Sequence, residues 1–281
     1  MENALPMTNP LLAKIKIPGR TFQLPSRGAL YNNGELLGSE GEVHVHPMSA
    51  LAEISLKNPD LLFNGKALNQ VFAECIPEIK KPTELYGRDI DAIMFYLRLV
   101  TYGPEFEIRV RHDCDESKTR GDNGDAILDK EGNYIHKEHS YIVNIEEMVQ
   151  KFRFLDPTMT DEFQCELPNG QVVKVHPVKF DHMIKLFQMN SGKDEFTAED
   201  IKKNVVFNLV SLIESVDGIT DKRQIEEWVS SITTPYQNRI TEVIEKTNDW
   251  GPEQTTKIIC KDCKHDMPVE LPLNPISFFT E

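Results

Sequence analysis

The chain has 281 residues and a mass of 32.2 kDa, with 45 acidic and 31 basic residues, a formal charge of −14 and a pI near 5.1. A chain of this size buries about 75% of the surface it exposes when unfolded, so a core forms without disulfide staples. The acidic balance excludes broad, sequence-independent nucleic-acid binding and disfavours docking on anionic membranes, since both need a basic footprint.

Residues 1–46 read as an extended arm or small hairpin. Proline and glycine punctuate them, and the alternations Phe22-Gln23-Leu24 and Val43-His44-Val45 predict two short strands joined through Asn32-Asn33-Gly34. The period turns helical over residues 47–103. Met48, Leu51, Ala52, Ile54 and Ser55 fit one face of a helix that Asn58-Pro59 ends. Residues 66–75 place Leu68, Val71, Phe72 and Cys75 at core spacing, and residues 88–101 turn Ile90, Ile93, Met94, Leu97 and Val100 inward. Residues 104–150 read as a β-ribbon with an acidic insertion loop. The stretch 106–111 alternates, 141–145 answers it, and the polar segment between them carries hairpin punctuation at 127–135.

Residues 151–250 read as a β-hairpin plus a helical bundle. The hairpin pairs 163–167 with 172–176 around Asn169-Gly170, which suits a type I′ turn. Helices are predicted at 180–189, 197–215, 221–231 and 235–246. The second opens with the capping pattern Thr197-Ala198-Glu199-Asp200, and its core candidates include Ile201, Val205, Phe207, Leu209, Leu212 and Ile213. Residues 251–281 hold strands at 256–259 and 269–271 around a Cys-x-x-Cys turn, then an apolar C-terminal tail. The fold class is α+β, a mostly helical body with inserted antiparallel β-ribbons, the last closing on a zinc-ribbon-like turn. No apolar run reaches the roughly 18 residues of a spanning helix, and the N-terminus lacks the basic-then-apolar order of a signal peptide.

Cys260-Lys261-Asp262-Cys263 is the sharpest local signal. Two cysteines three apart on a tight turn bring both thiolates to one zinc ion, at Zn–S distances of about 2.3 Å, and a structural site needs two further ligands. Upstream, Arg109-Val110-Arg111-His112-Asp113-Cys114 aligns with Ile258-Ile259-Cys260-Lys261-Asp262-Cys263. In each, a strand runs into an Asp-Cys pair and a returning strand follows. Cys114 is the candidate third ligand and His112, His139 or His265 the fourth, although His112-x-Cys114 is an awkward chelate. One structural zinc ion competes here with a turn that folds without metal. A redox pair is disfavoured, because thioredoxin-type pairs open a helix in a βαβ setting.

Five cysteines, only two of them close in sequence, fit a reducing cytoplasm better than a secreted disulfide scaffold. Cys75 and Cys165 read as buried small hydrophobes. Asp122, Asp125 and Asp129 lack EF-hand spacing, and His44 and His46 read as plain surface. There is no P-loop, Gly-x-Gly-x-x-Gly, His-Glu-x-x-His or Gly-x-Ser-x-Gly. The reading therefore assigns no catalytic residues, no enzymatic activity and no small-molecule substrate.

Two segments look like binding handles. Leu24-Pro25-Ser26-Arg27-Gly28-Ala29-Leu30-Tyr31 combines a proline-stiffened approach, a glycine-permitted turn and an aromatic anchor. Phe22, Leu24, Arg27 and Tyr31 are its candidate partner contacts, with an arm folded onto its own domain as the alternative. The tail Leu271-Pro272-Leu273-Asn274-Pro275-Ile276-Ser277-Phe278-Phe279 is apolar yet suits neither a helix nor a central strand. Ile276, Phe278 and Phe279 are candidates to dock in a groove, on the same chain or on a neighbour.

These handles, the ribbons ending in cysteine turns, and the Asn-Gly hairpin leading to His176-Pro177-Val178 resemble the T-even-type phage baseplate protein family. Members of that family are associated with the central hub of the contractile tail and its assembly. The resemblance spans most of the chain, excepting the loop at 115–138. Typical members carry Cys-x-x-Cys in the first ribbon as well, where this chain has Arg111 and Cys114. The resemblance implies a non-enzymatic structural or assembly role, with other baseplate and tail hub proteins as partners. It implies a place in the host cytoplasm during assembly, or in the tail baseplate of the virion. The alternative is a zinc-ribbon nucleic-acid-binding or regulatory viral protein. That reading wants net basic charge at the knuckle, whereas Lys257, Lys261 and Lys264 are offset by Asp262, Asp266 and Glu270.

Overall fold

In the computed structural model the described residues are 18–31, 41–58, 65–156, 158–159, 163–191, 193, 195–271, 273 and 278–279. A short antiparallel pair opens them, β1 (Arg20–Gln23) on β2 (Glu42–Val45), with Phe22 opposite Val43. The connection through Asn32-Asn33-Gly34 lies outside the described residues. Helices α1 (Ala50–Leu56), α2 (Lys66–Cys75) and α3 (Gly87–Tyr102) follow.

Helix α1 starts at Ser49, whose hydroxyl accepts the Ala52 N–H at 3.2 Å. Its buried face is Met48, Ala52 and Leu56, one stripe of four-residue steps. Leu51 and Ile54, expected on that face, stand about 100° and 160° away from Ala52 around the helix. They are 73% and 63% exposed. Helix α3 is enclosed on nearly every side, with Phe95, Tyr96, Arg98 and Leu99 buried in addition to the predicted inward stripe.

The first ribbon pairs β3 (Glu105–Arg111) with β4 (Glu138–Asn144), Phe106 opposite Val143 and Ile108 opposite Tyr141. Between its strands, single bridges join Lys118 to His136, Arg120 to Ala126 and Leu128 to Tyr134. The chain thus forms a stem and two arms. They meet where Thr119 N–H donates to Ile135 O, Ile127 N–H to Thr119 O and Ile135 N–H to Ile127 O, at 2.7, 2.9 and 3.0 Å. The three junction residues are eight apart in sequence, and most of this excursion is exposed.

Helix α4 (Ile145–Val149) is capped by Asn144 and leads to the predicted hairpin, β5 (Gln164–Glu166) with β6 (Val172–Val175). The turn spans Leu167 to Gly170, with Gly170 N–H donating to Leu167 O at 2.8 Å. Only Gly170 has positive φ, at 83°, so this is not the type I′ turn expected, which needs positive φ at Asn169 as well. Helix α5 (Phe180–Asn190) precedes α6 (Ala198–Leu212). The helix expected to run through Ser215 stops at Leu212. There the β-branched Ile213 and Val216 are buried in a third strand, β7 (Ile213–Val216), paired to β6. Helices α7 (Lys222–Ser231) and α8 (Thr234–Thr247) and a second ribbon, β8 (Thr255–Ile259) on β9 (Asp266–Glu270), complete the described chain.

Eight α-helices and four small antiparallel sheets among the described residues give the α+β class. One apolar cluster surrounds α2 and α3 and takes in Leu24, Val45, Phe106, Cys260, Phe278 and Phe279. A second joins the three-stranded sheet to α6, α7 and α8 through Val173, Ile213, Ile225, Val229, Ile240 and Trp250. No helix among the described residues is long and apolar enough to cross a membrane.

Candidate metal centre and docking segments

The two ribbons deliver their turns to one place. His112 and Cys114 follow β3, and Cys260 and Cys263 follow β8. One ligand atom from each of the four lies within 4.8 Å of all the others. Cys263 Sγ is 3.5 Å from His112 Nδ1. With Zn–S near 2.3 Å and Zn–N near 2.0 Å, ligand atoms around a tetrahedral zinc ion are about 3.5–3.8 Å apart. The His112–Cys263 separation falls in that range, and three thiols and one imidazole gathered within 4.8 Å are a set that could hold a metal ion. All five cysteines are free thiols.

The short His112-x-Cys114 spacing works because the chain folds tightly between them. Cys114 N–H donates to His112 O at 2.9 Å, a three-residue turn that swings both side chains the same way. The Ser117 hydroxyl donates to the same carbonyl at 2.5 Å and accepts the Cys114 N–H at 3.3 Å. In the second turn, Cys260 N–H donates to His265 O at 2.9 Å and Lys264 N–H to Cys260 O at 3.1 Å.

Burial opposes ionisation of Cys260. The backbone N–H groups of Cys263 and Asp262 and the Cys263 and Cys114 thiols outweigh it, so this thiol sits below its ordinary value. At Cys263 the His265 N–H favours the thiolate, but burial and the neighbouring thiols raise it above the ordinary value. Metal binding takes the thiolate form, so a lowered Cys260 value favours a cation at this position.

Polar contacts dock the ribbons around this centre. His139 Nε2 meets Asp262 Oδ2 at 2.7 Å, Lys261 N–H donates to the Tyr141 hydroxyl at 3.0 Å, and Lys261 Nζ donates to Ser140 O at 2.5 Å. Of the three histidines open for the fourth position, His139 is thus a docking residue and His265 is exposed outside the cluster. His112 is the one placed with the cysteines. Elsewhere, burial, followed by the Glu74 charge, pushes the Cys75 thiol up to about 12. Burial also raises Cys165, against the pull of Arg239.

The N-terminal handle lies on its own chain. Phe22 stacks on Tyr96 at 4.3 Å, and Leu24 is fully buried. Asp89, buried in the first turn of α3, accepts Ser26 N–H at 3.0 Å and the Tyr31 hydroxyl at 2.6 Å. Tyr31 in turn accepts the Tyr86 N–H at 2.9 Å. Arg27 and Gly28 are left-handed, at φ 52° and 72°. They cross Gly41 so closely that a Cβ there would lie 2.4 Å from Gly28 N. The Arg27 guanidinium stays exposed, over the Phe154 ring at 5.1 Å. Burial pushes the Asp89 carboxyl up to about 6, against the hydrogen bonds from Ser26 and Tyr31.

The tail also fills a groove of its own chain. Phe278 and Phe279 are fully buried, and the Phe278 ring lies 5.3 Å from both Phe95 and Phe106. Arg98, buried over the Phe106 ring at 4.1 Å, donates to Phe278 O, and the Tyr102 hydroxyl donates to Phe279 O at 3.1 Å. Ile276 lies outside the described residues. Leu24, Phe278 and Phe279, read as candidate partner contacts, thus present no surface, because each is needed to close the core around α3. Phe22 and Tyr31 keep partial exposure. Asp89, Arg98 and Ser117 gave no sign in the sequence. An acid in a helix's first turn, or an arginine on a helix, ordinarily marks a solvated face.

A family model described as T4 bacteriophage base plate protein matches residues 48–280, more than four-fifths of the chain. No curated protein and no solved structure matches. The chain belongs to that baseplate family, as its motifs suggest, and has a structural role in a phage baseplate.

Proposed function

We propose that the chain is a non-enzymatic component of the hub of a contractile phage tail baseplate, built into the virion tail by docking on other baseplate proteins. The family match over 48–280 carries this reading, because it spans both ribbons, the helical body and the tail. We further assign one zinc ion to His112, Cys114, Cys260 and Cys263. Three thiolates and an imidazole suit zinc, and four protein ligands leave no open position for substrate, which is the pattern of a structural site. His112 and Cys263 are 151 residues apart in sequence, so a bond through metal ties distant parts of the chain. The ribbons would then hold a fixed geometry against neighbouring proteins during assembly.

The test is a phage carrying an early stop codon in this gene, its lysates viewed by electron microscopy. Complete baseplates should be missing, restored by wild-type protein supplied in trans and not by Cys260→Ser. Normal, infectious tails without the protein would overturn the proposal.

A further inference from the structure

Helix α6 carries an apolar stripe, Ile201, Val205, Leu209 and Leu212, of which the chain covers only the last two. Ile201 is 54% and Val205 41% exposed. Beside this stripe, a cleft of about 580 Å³ runs between α6 and α7 and reaches Met189 of α5, with Val206, Phe207 and Val210 of α6 in its apolar lining. Lys202 on α6 and Glu226 on α7 also line it. Both are exposed, and neither has an ion-pair partner among the described residues, whereas the neighbouring Lys203 is held by Glu199 at 2.8 Å.

We propose that this face binds the same face of a second copy of the chain across a twofold axis, Lys202 of each copy pairing with Glu226 of the other. A twofold contact requires one patch to contain its own complement. An unpaired cation and an unpaired anion on α6 and α7, beside apolar surface, meet that requirement. Charge favours the same face. The charged residues lining the cleft are Lys202, Lys203, Glu199 and Glu226, two of each sign in a chain of net charge −14, so two copies approach here without a net like-charge repulsion. This inference goes beyond the baseplate reading and does not depend on it.

Sedimentation velocity of the purified full-length chain, over roughly 1–100 μM, should show a concentration-dependent dimer. Lys202→Glu and Glu226→Lys should each weaken it by about tenfold, and the double reversal should restore it. Val205→Glu should give a monomer whose melting temperature equals that of the wild type measured at a concentration where it too is monomeric. A wild-type chain that stays monomeric throughout, or a double reversal as weak as either single one, would overturn the proposal while leaving the baseplate assignment intact.

Discussion

Helices α3 and α6 have nearly the same length and both read as amphipathic, yet α3 buries eleven of its sixteen residues and α6 two of its fifteen. The difference lies in what the rest of the chain brings to each. Helix α3 receives the N-terminal arm at Asp89 and Tyr96, and the tail at Arg98 and Tyr102. Helix α6 has α5 and α7 at its flanks, and half of its apolar stripe remains bare. Hydrophobic periodicity shows which face of a helix needs cover, but not which part of the chain, or which other molecule, supplies it.

The largest expected contrast comes from truncating cover on one side and bare stripe on the other. Phe278→Ala removes a ring packed among Phe95, Phe106 and Phe279, and should cost about 3–5 kcal/mol in urea unfolding. Val205→Ala on α6 should stay within about 0.5 kcal/mol. Equal losses, measured at a concentration where the chain is monomeric, would mean that α6 is covered by part of its own chain.

A middle-sized effect tests the latch on α3. The Asp89 carboxyl is pushed up to about 6, so the folded chain binds its proton more tightly than the unfolded chain does. The stability it contributes is full below about pH 4 and is lost as pH rises through about 6, a cost of about 3 kcal/mol by pH 7. The difference in unfolding free energy between wild type and Asp89→Asn, followed from pH 4 to 7, should move by that amount. A difference independent of pH would remove the buried carboxylate from the account.

The smallest effect concerns α1, a short counterpart of the same contrast. Leu51→Lys, on the outward side, should leave the melting temperature within about 2 °C of wild type. A loss of several kcal/mol would place Leu51 under cover.

Much of the fold is legible in the sequence because its causes are local. The helix at Lys66–Cys75, the strand before His112, the hairpin around Asn169-Gly170 and the Thr197 capping box rest on neighbours a few residues away, and each forms where it is read, although the hairpin turn is not the type I′ expected. Strand β7 was hidden because Ile213 to Val216 become a strand only by pairing with β6, some forty residues earlier. The sequence leaves the arm open between a partner handle and a segment folded onto its own domain for the same reason, since its anchor, Asp89, lies 58–63 residues from the groups it holds. At the candidate metal centre the cysteines are readable from repeated strand-and-turn spacing. His112, the fourth ligand named from the sequence despite its awkward spacing, is set apart from His139 by the tight turn to Cys114 and the Asp262 contact.

The central claim, that one metal centre clasps the two ribbons, is tested most directly by native mass spectrometry of the chain purified without chelator. The account predicts one zinc ion per chain, released by acid and absent from both Cys114→Ser and Cys260→Ser. A folded wild-type chain without metal, or zinc retained in full by Cys114→Ser, would contradict it.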